Sequence, residues 1–291
     1  KEIKSKYPDL PIVMITKNEE EWLMDEAIGS QTAHFLTKPV NPSQILIAIK
    51  DVLESRKIQS DKTAQKYLQE FQKISNDVQT AISIEDWFNI NNTLSEWAVK
   101  LNIMDDDNLE QIFNDQYIEA NGQFTQFIID NYSDWLINNK SPILSSDIVK
   151  SYVHPILDRN EKVVFIVMDC LSTGLWKTMT EILYDNYKID TNFGLSILPT
   201  TTSFSRNSIF SGLYPDELKE KYPVEYEKIW KDEVSRNRYE DTFLKNQLTK
   251  LGHEDKSVNY LKIVTLEQGK KLVENINDYK HLDILSLVVN F

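Results

Sequence analysis

The sequence has 291 residues and is poor in several features, and each shortage excludes a class of protein. It contains one cysteine, Cys170, which excludes a framework of internal disulfides and is typical of a reducing compartment. Its longest unbroken apolar run, Val163–Met168, is far shorter than the roughly 18 to 20 residues that span a bilayer. The first residues also lack the pattern of a secretion signal. We therefore expect a cytoplasmic protein with no membrane insertion.

Basic residues are also in short supply. The formal net charge is −13, which argues against a broad face for duplex DNA, because such a face needs a surplus of Lys and Arg to displace counterions. An anionic substrate is still compatible with this charge, since bound divalent cations invert the local potential of a site. The apolar content of 41% is ordinary for a globular protein, and the length predicts two or three domains.

An acidic residue and a group of hydroxyls follow two strand-like runs in the last part of the chain. The β-branched run Val163–Met168 predicts a buried parallel strand that ends at Asp169, and the run Gly194–Leu198 predicts a second strand followed by Thr200–Thr202. Sites of open α/β sheets lie at the carboxyl ends of strands, so we expect the acid and a hydroxyl to lie side by side. That pairing indicates metal-assisted chemistry on a phosphorus ester.

Each of these residues has a possible role in such chemistry. Asp169 offers a hard oxygen ligand for zinc, manganese or magnesium. Thr202 precedes a predicted short helix, where a metal could activate its hydroxyl as a nucleophile. Arg206 could hold a nonbridging phosphoryl oxygen, and Asn207 could donate to the same group. The alternative is a polar loop in which Thr202 or Ser203 is merely a helix N-cap.

Residues 1–58 alternate strand and helix, with strands predicted over 11–16 and 33–36 and helices over 18–28 and 42–56. The segments PDLPIVMIT and HFLTKPV resemble the second half of a response-regulator receiver domain, a flavodoxin-like fold. The resemblance implies that Thr16 senses an aspartyl phosphate and that Lys38 pairs with it. Alternatively, both are simply polar residues at strand ends.

The receiver resemblance also implies a cognate histidine kinase and Mg²⁺ for phosphorylation. The phosphoacceptor Asp and the acidic Mg²⁺ ligands would lie upstream of Lys1, so none is expected in this chain. Together with a first segment that reads as mid-helix and a last segment that stops after a strand, this predicts a fragment of a longer protein that cannot itself accept phosphate.

Residues 59–150 are predicted to be all helical, with four or five helices, because apolar residues recur at helical spacing and Gly122 is the one glycine there. Helix caps are predicted at Ser83–Asp86 and Ser133–Asp134. The aromatic stripes are interpreted as core in preference to a partner-binding groove. The acidic segment Met104–Asn108 is interpreted as a helix-starting turn in preference to a cation loop, because its Asp residues lack calcium-loop spacing.

Residues 151–291 return to strands separated by helices, which predicts a mostly parallel sheet. The segments VVFIVMDC and LPTTTSFSRNSIFSGLYP are similar to the PglZ domain of the alkaline phosphatase superfamily. The order of the three regions, receiver-like, helical and PglZ-like, resembles that of PorX-type response regulators over nearly the full chain. The expected fold is α/β: the C-terminal half of a receiver (1–58), an all-α middle (59–150) and the N-terminal half of an alkaline-phosphatase-like domain (151–291).

By this resemblance, Asp169 is a zinc ligand and Thr202 is both ligand and nucleophile in a phosphodiesterase or phosphatase with two zinc ions. The family implies a nucleotide-type phosphodiester substrate and control of the type IX secretion system. It also implies secretion components or a sigma factor as partners, and homodimerisation on phosphorylation.

The sequence departs from the family pattern in two ways, and the first favours an alternative function. The family's Arg and Asp-Gln-Trp after the metal Asp are replaced by Cys170–Leu175, although Trp176 is kept. The remaining metal ligands are expected beyond Phe291, so this chain alone is predicted to be inactive. The alternative is a non-catalytic response regulator that acts by binding partners. The histidines have no histidine partner at ligand spacing in the sequence and are predicted to be surface or structural residues: His34, His154, His253 and His281.

Overall fold

The computed structural model describes residues 3, 6–7, 10–17, 33–102, 106–138, 141–231 and 236–290. The chain divides into two compact units. The first contains residues 1–79 and 100–117, and the second contains residues 80–99 and 118–291. Each unit contains a small parallel sheet with helices, and the fold class is α/β, as the alternation of strands and helices predicts.

The first unit contains two short parallel strands. Strand β1 is Val13–Thr16 and β2 is His34–Thr37, and they pair in register from Val13↔His34 to Thr16↔Thr37. Both apolar strands were predicted within two residues of their observed bounds. The helix predicted over 18–28 lies outside the described residues.

Helix α1, Pro42–Thr80, is far longer than the helix predicted over 42–56. It begins in the way its sequence indicates. Asn41 accepts a hydrogen bond from the backbone N–H of Ser43 at 3.3 Å, and Pro42 occupies the first helical position, where no N–H is needed. Neither Gly nor Pro occurs between Ser43 and Thr80, so nothing in the sequence interrupts the helix at the predicted boundary near residue 58.

Two further long helices follow, α2 (Ile84–Asn102) and α3 (Asp107–Asn138). Asp106 accepts hydrogen bonds from the N–H groups of Asn108 and Leu109, which confirms a helix-starting turn at this point; residues 103–105 lie outside the described residues. The start predicted at Ser133–Asp134 was wrong, because these residues lie inside α3. Four or five helices were predicted for this region. Within the described ranges, the long helices are three: α1, α2 and α3.

The aromatic residues of these helices are largely core residues, as predicted. Tyr67 is fully buried, and Trp87 and Trp97 are also buried. Tyr67 donates a hydrogen bond from its hydroxyl to Gln116 at 3.1 Å, so its polar atom is satisfied inside the core. Among the helices that the structure describes, none is long and apolar enough to cross a membrane.

The second unit contains a three-stranded parallel sheet with the order β3-β5-β4. Its strands are β3 (Val163–Met168), β4 (Val258–Ile263) and β5 (Ile284–Val289). The central strand β5 pairs from Ile284 to Val289 with both neighbours. It is buried along nearly its whole length, which explains its continuous apolar sequence.

Short helices surround this sheet and pack a core centred on Phe210, Phe243 and Leu248. In chain order the helices are a 3₁₀ turn Ser145–Asp147, a π-helical turn Val149–Val153, α4 (His154–Asp158), α5 (Thr173–Leu183), α6 (Thr202–Ser211), α7 (Pro215–Lys221), α8 (Pro223–Ile229), α9 (Glu240–Lys250), α10 (Leu266–Glu274) and a 3₁₀ turn Ile276–Tyr279. Gly212 ends α6 at φ +64°, where a Cβ would lie 2.3 Å from the Gln247 side chain.

Two predictions for this region were wrong. The segment Gly194–Leu198 is not a strand of the sheet, and its described pairing is a single bridge between Leu195 and Leu144. Two of its backbone donors are taken by side chains instead, since the N–H of Ile197 donates to the Ser145 hydroxyl and that of Leu198 to the Tyr132 hydroxyl.

Strand β3 was predicted to be a buried strand, but it is only partly buried. Val164 and Ile166, which share one face of the strand, are 60% and 51% exposed. The described residues therefore cover only the opposite face of β3, which carries Val163, Phe165 and Val167 and packs against the core.

Candidate functional site

Asp169 lies at the carboxyl edge of the parallel sheet, where the sequence predicts it. Its N–H donates to the carbonyl of Val289 at 2.9 Å, which extends the pairing of β3 and β5 by one residue. Cys170 then adopts φ +61°, in the left-handed region, and turns the chain away from the sheet. Asn290 follows β5 at the same edge. Polar side chains from two adjacent strands thus meet at one point.

Arg206 connects this edge to helix α6. Its side chain is only 4% exposed, and its guanidinium makes four hydrogen bonds. Nε and Nη2 donate to the two oxygens of Glu240 at 2.8 and 2.7 Å, and Nη1 donates to Asp169 at 3.0 Å and to Asn290 at 2.9 Å. The bidentate arrangement matches the planar fork of arginine to a carboxylate and fixes the orientation of both groups.

Glu240 is the buried counterion of this cluster, with a fully inaccessible side chain. Besides the two bonds from Arg206, it accepts from Asn237 at 3.0 Å and from the Tyr260 hydroxyl at 2.6 Å. Burial and the adjacent Glu240 charge raise the pKa of Tyr260 well above its ordinary value, so the phenol stays protonated and donates. Four donors satisfy a carboxylate that would otherwise be costly to bury.

The pKa of Arg206 results from opposing effects. Burial lowers it, but the hydrogen bonds and charges of Glu240 and Asp169 outweigh burial, and the pKa is raised above its ordinary value. The guanidinium is therefore permanently charged and permanently paired, and it holds one oxygen of Asp169 in place.

Thr202 is the first residue of α6, and its side chain is partly buried. Thr201 takes the N-cap position, one residue before the caps predicted at Thr202 or Ser203, and its side chain makes no capping hydrogen bond. The Thr202 carbonyl accepts from Asn237 at 3.3 Å. Because Asn237 also donates to Glu240, a chain of hydrogen bonds runs from the backbone of Thr202 through Glu240 and Arg206 to Asp169. The start of α6 is thereby tied to the carboxyl edge of the sheet.

The side chains of Arg206 and Asn207, predicted to contact a phosphoryl group, make internal contacts in this structure. Asn207 is fully buried, and its amide nitrogen donates to the carbonyls of Ser203 at 2.7 Å and Arg236 at 2.9 Å. These bonds hold the segment that leads into α9 against α6. Both residues therefore shape the site, and their contact with a substrate stays a prediction.

Four members of the cluster were not identified from the sequence: Asn237, Glu240, Tyr260 and Asn290. Asn290 carries a signal of the same kind as Asp169, a polar residue directly after an apolar strand, and was detectable from that pattern. Glu240 resembles any acidic residue in the first turn of a helix, and only the fold reveals that it is buried.

The carboxylate and hydroxyl oxygens at the carboxyl edge are ligands of the type that bind divalent cations. Among the described residues, Oδ1 of Asp169 and the hydroxyl of Thr202 have no hydrogen-bond partner, so both are available as oxygen ligands. Around these two residues, the described part of the chain supplies no cluster of three His, Cys, Asp or Glu ligands. The fit is thus partial: two suitable oxygen donors, one of them oriented by Arg206.

A second candidate site lies in the first unit, at the carboxyl edge of β1 and β2. The N–H of Lys38 donates to the carbonyl of Thr16 at 2.7 Å, and Thr16 pairs with Thr37 across the two strands. The two residues predicted to form a receiver switch, Thr16 and Lys38, thus lie at adjacent strand ends. An open depression beside them is lined by Ile15, Lys17, Lys38, Pro39, Val40 and Ile45.

Two family descriptions match the chain. Residues 57–136 match the PorX response regulator linker domain, and residues 148–290 match the BREX system PglZ alkaline phosphatase-like domain. A search of the curated proteins found no match. Neither family match reaches residues 1–56, so the receiver assignment stays a prediction. The chain therefore has a region similar to a PorX-type linker domain followed by a region similar to a PglZ alkaline phosphatase-like domain, a pair that fits a response regulator with a phosphatase-like effector.

Proposed function

We propose that the PglZ domain of this response regulator hydrolyses phosphate esters with the aid of zinc, and that Thr202 is the nucleophile. The observation that carries the proposal is the hydrogen-bonded connection between Asp169 and the first turn of α6, which begins at Thr202. It combines an oriented carboxylate, an available hydroxyl and a helix N-terminus at one sheet edge, within a domain that matches an alkaline-phosphatase-like family.

The chemistry follows from these positions. The Thr202 oxygen attacks phosphorus, a P–O bond forms, and the bond to the leaving alkoxide breaks as that group takes up a proton. Water then cleaves the phosphothreonine and releases phosphate or a phosphomonoester. Asp169 and Thr202 would hold the zinc ion, which would supply Lewis acidity that favours the ionised hydroxyl. Arg206 keeps the Asp169 carboxylate oriented throughout, and the backbone N–H groups at the start of α6 attract the phosphoryl anion.

The wider role belongs to the same proposal. Phosphorylation of a receiver domain by a histidine kinase would regulate the effector, with Thr16 and Lys38 as the switch residues. The substrate would be a nucleotide-type phosphodiester, and the output would be control of type IX secretion through secretion components or a sigma factor. The support for this part is the match of residues 57–136 to a PorX linker domain.

The test is hydrolysis of bis(p-nitrophenyl) phosphate by the full-length protein loaded with zinc. Replacing Thr202 by Ala removes the attacking oxygen and one metal ligand, so we expect the rate to fall on the order of 10³-fold or more. Thr249→Ala is the matched control, because Thr249 is exposed on α9 and donates to the Lys245 carbonyl. Equal rates for the wild type and Thr202→Ala would contradict the proposal.

A second function is favoured by the internal contacts of Arg206 and Asn207, which direct their donors into the fold. In this alternative the PglZ domain is a scaffold, and the protein acts by binding partners without catalysis. Capture of secretion-machinery or sigma-factor partners would then be unaffected by zinc removal or by Asp169→Ala. Loss of capture in Asp169→Ala would count against it.

A further inference from the structure

Two histidines and an aspartate form a cluster that the sequence did not reveal. His154 Nδ1 lies 2.7 Å from His253 Nε2, and the two rings contact each other with centroids 4.9 Å apart. Asp158 faces both rings, with its oxygens 3.5 Å from His154 Nε2 and 3.6 Å from His253 Nε2. The sequence shows no histidine partner at ligand spacing, and these two histidines, 99 positions apart, are brought together only by the fold.

The backbone explains how the three side chains meet. His154 and Asp158 are four residues apart on α4 and so lie on the same face, one turn from each other. His253 follows Gly252, which takes φ +85° at the end of α9, and the His253 N–H donates to the carbonyl of Leu248 at 2.9 Å. This turn directs the chain back towards α4.

Neighbouring bonds hold the two segments together. The ammonium group of Lys256 donates to Asn160 at 2.9 Å and joins the segment after His253 to the segment after α4. Next to it, Asp283 accepts from the N–H and hydroxyl of Ser257 at 2.8 and 2.7 Å. The cluster is thus built on a fixed backbone framework before any ligand binds.

The cluster is separate from the candidate phosphoryl-transfer site. Helix α4 leads into the start of β3, and His253 leads into the start of β4, so the cluster lies towards the amino edge of the parallel sheet. Asp169 and Asn290 follow the ends of β3 and β5 at the carboxyl edge. A ligand of the histidine cluster would therefore be independent of Thr202 chemistry.

We propose that His154, Asp158 and His253 bind a divalent transition metal, of which zinc is the best match. Zinc accepts imidazole nitrogens and carboxylate oxygens at about 2.0 to 2.2 Å, and two such ligands at a tetrahedral angle lie roughly 3.3 Å apart. One ligand atom from each of the three residues lies within 4.8 Å of the other two. The two separations that share His253 Nε2, 2.7 Å to His154 Nδ1 and 3.6 Å to Asp158 Oδ1, bracket the expected value, so small side-chain rotations bring the three ligands together.

The 2.7 Å contact between His154 Nδ1 and His253 Nε2 requires one shared proton. Two unprotonated nitrogens at 2.7 Å would repel each other, so one ring donates its N–H to the other. Zinc replaces that shared proton, which is released to solvent on binding. Hard cations such as Mg²⁺ and Ca²⁺ prefer all-oxygen ligands, so the two imidazoles select against them.

Exposure determines how such an ion would exchange. His253 is 6% exposed and forms the base of the site, whereas His154 is 28% and Asp158 57% exposed at its mouth. One coordination position faces solvent and is available to water or to an added ligand. The ion would connect α4 to the turn before β4. Zinc binding to the folded state therefore stabilises the second unit by mass action.

The experiment is a zinc titration of the full-length, EDTA-stripped protein against a chromophoric chelator, with Co²⁺ absorption as a spectroscopic readout. We expect His154→Gln and Asp158→Asn each to lower the affinity for one equivalent of zinc by on the order of 100-fold. The Co²⁺ absorption bands of the same site should disappear in both variants. Both residues are partly exposed, so these variants preserve the core, which far-ultraviolet circular dichroism verifies.

Two control variants separate this site from the proposed catalytic metal. His281→Gln removes an exposed histidine elsewhere, and Asp169→Asn removes the ligand at the carboxyl edge; both should retain the equivalent that depends on His154. If His154→Gln and Asp158→Asn bind zinc as tightly as the wild type, the proposed site does not exist. Loss of Thr202-dependent hydrolysis alone would bear on the catalytic proposal and leave this one intact.

Discussion

Arg206 is the residue at which the stability of the second unit and the geometry of the candidate site depend on the same contacts. A guanidinium at 4% exposure and a carboxylate at 0% exposure form a bidentate pair, and each has further hydrogen bonds. Desolvating two charges is costly, and the pair is tolerated because nearly all of their hydrogen-bonding capacity is used. Removing one partner leaves the other buried and uncompensated.

Replacing Arg206 by Met should therefore lower the free energy of unfolding by about 3 to 5 kcal/mol. Urea denaturation followed by tryptophan fluorescence measures the change. Lys177→Met is the matched control, because it breaks a partly exposed pair with Glu96, for which the loss should be about 0 to 1 kcal/mol. The double variant Arg206→Met/Glu240→Gln should recover part of the loss, since the buried charge is gone. A loss below about 1 kcal/mol in Arg206→Met would contradict this account.

The N-terminus of α2 shows how a short sequence pattern defines an element. Ser83 and Asp86 form a capping box: the Ser83 hydroxyl accepts from the Asp86 N–H at 3.2 Å, and Asp86 accepts from the N–H and hydroxyl of Ser83 at 2.9 and 2.8 Å. Asp86 also accepts from the N–H of Ile82 at 3.1 Å. The bonds from Ser83 and then from Ile82 lower the pKa of Asp86 below its ordinary value.

This cap makes a pH-dependent contribution with a definite sign. Because the folded-state pKa of Asp86 is lowered, its stabilisation is present above its ordinary pKa and is lost as the pH falls through the folded-state value. Asp86→Asn should therefore destabilise the protein at pH 7, and the difference from wild type should shrink below about pH 4. Ser83→Ala should cost about 1 kcal/mol at pH 7. Thermal unfolding at pH 7 and pH 3.5 tests both; a pH-independent difference for Asp86→Asn would contradict the assignment.

Elements were predictable from the sequence where one local signal dominates. Strand β5, Ile284–Val289, shows this well, because its continuous apolar run is also what a central parallel strand requires. The helix predicted over 42–56 ended too early, because the composition changes near residue 58. No helix-breaking residue occurs there, and the observed helix α1 continues to Thr80. Gly194–Leu198 has the composition of a strand, but the side chains of Ser145 and Tyr132, distant in sequence, accept hydrogen bonds from two of its backbone N–H groups.

The candidate site shows the same limit. Asp169 and Thr202 were identified because each adjoins a recognisable local pattern. The contacts that orient them come from Glu240 and Asn237, which are separated from Arg206 by more than thirty residues in each case. Likewise, His154 and His253 meet through the folding of α4 against the turn after α9. Burial and long-range pairing were the missing information in all of these cases.

The charge of the whole molecule limits which anions it can bind. With 45 acidic and 32 basic residues, the chain presents a net negative potential to any polyanion. A small phosphate ester needs attraction only at one point, such as the start of α6, whereas duplex DNA requires an extended row of phosphate contacts. The protein as a whole should therefore discriminate against duplex DNA even if it accepts a nucleotide.

A mobility-shift titration tests this discrimination. At about 50 mM salt, a duplex of about 30 base pairs should migrate as free DNA up to about 10 µM protein, because no counterion release offsets the repulsion of 13 net negative charges. EDTA in the buffer removes divalent cations that could bridge protein and phosphates, and added zinc provides the comparison. Binding in EDTA that weakens steeply between about 50 and 200 mM salt would contradict the prediction, since that salt dependence measures phosphate contacts made by the protein itself.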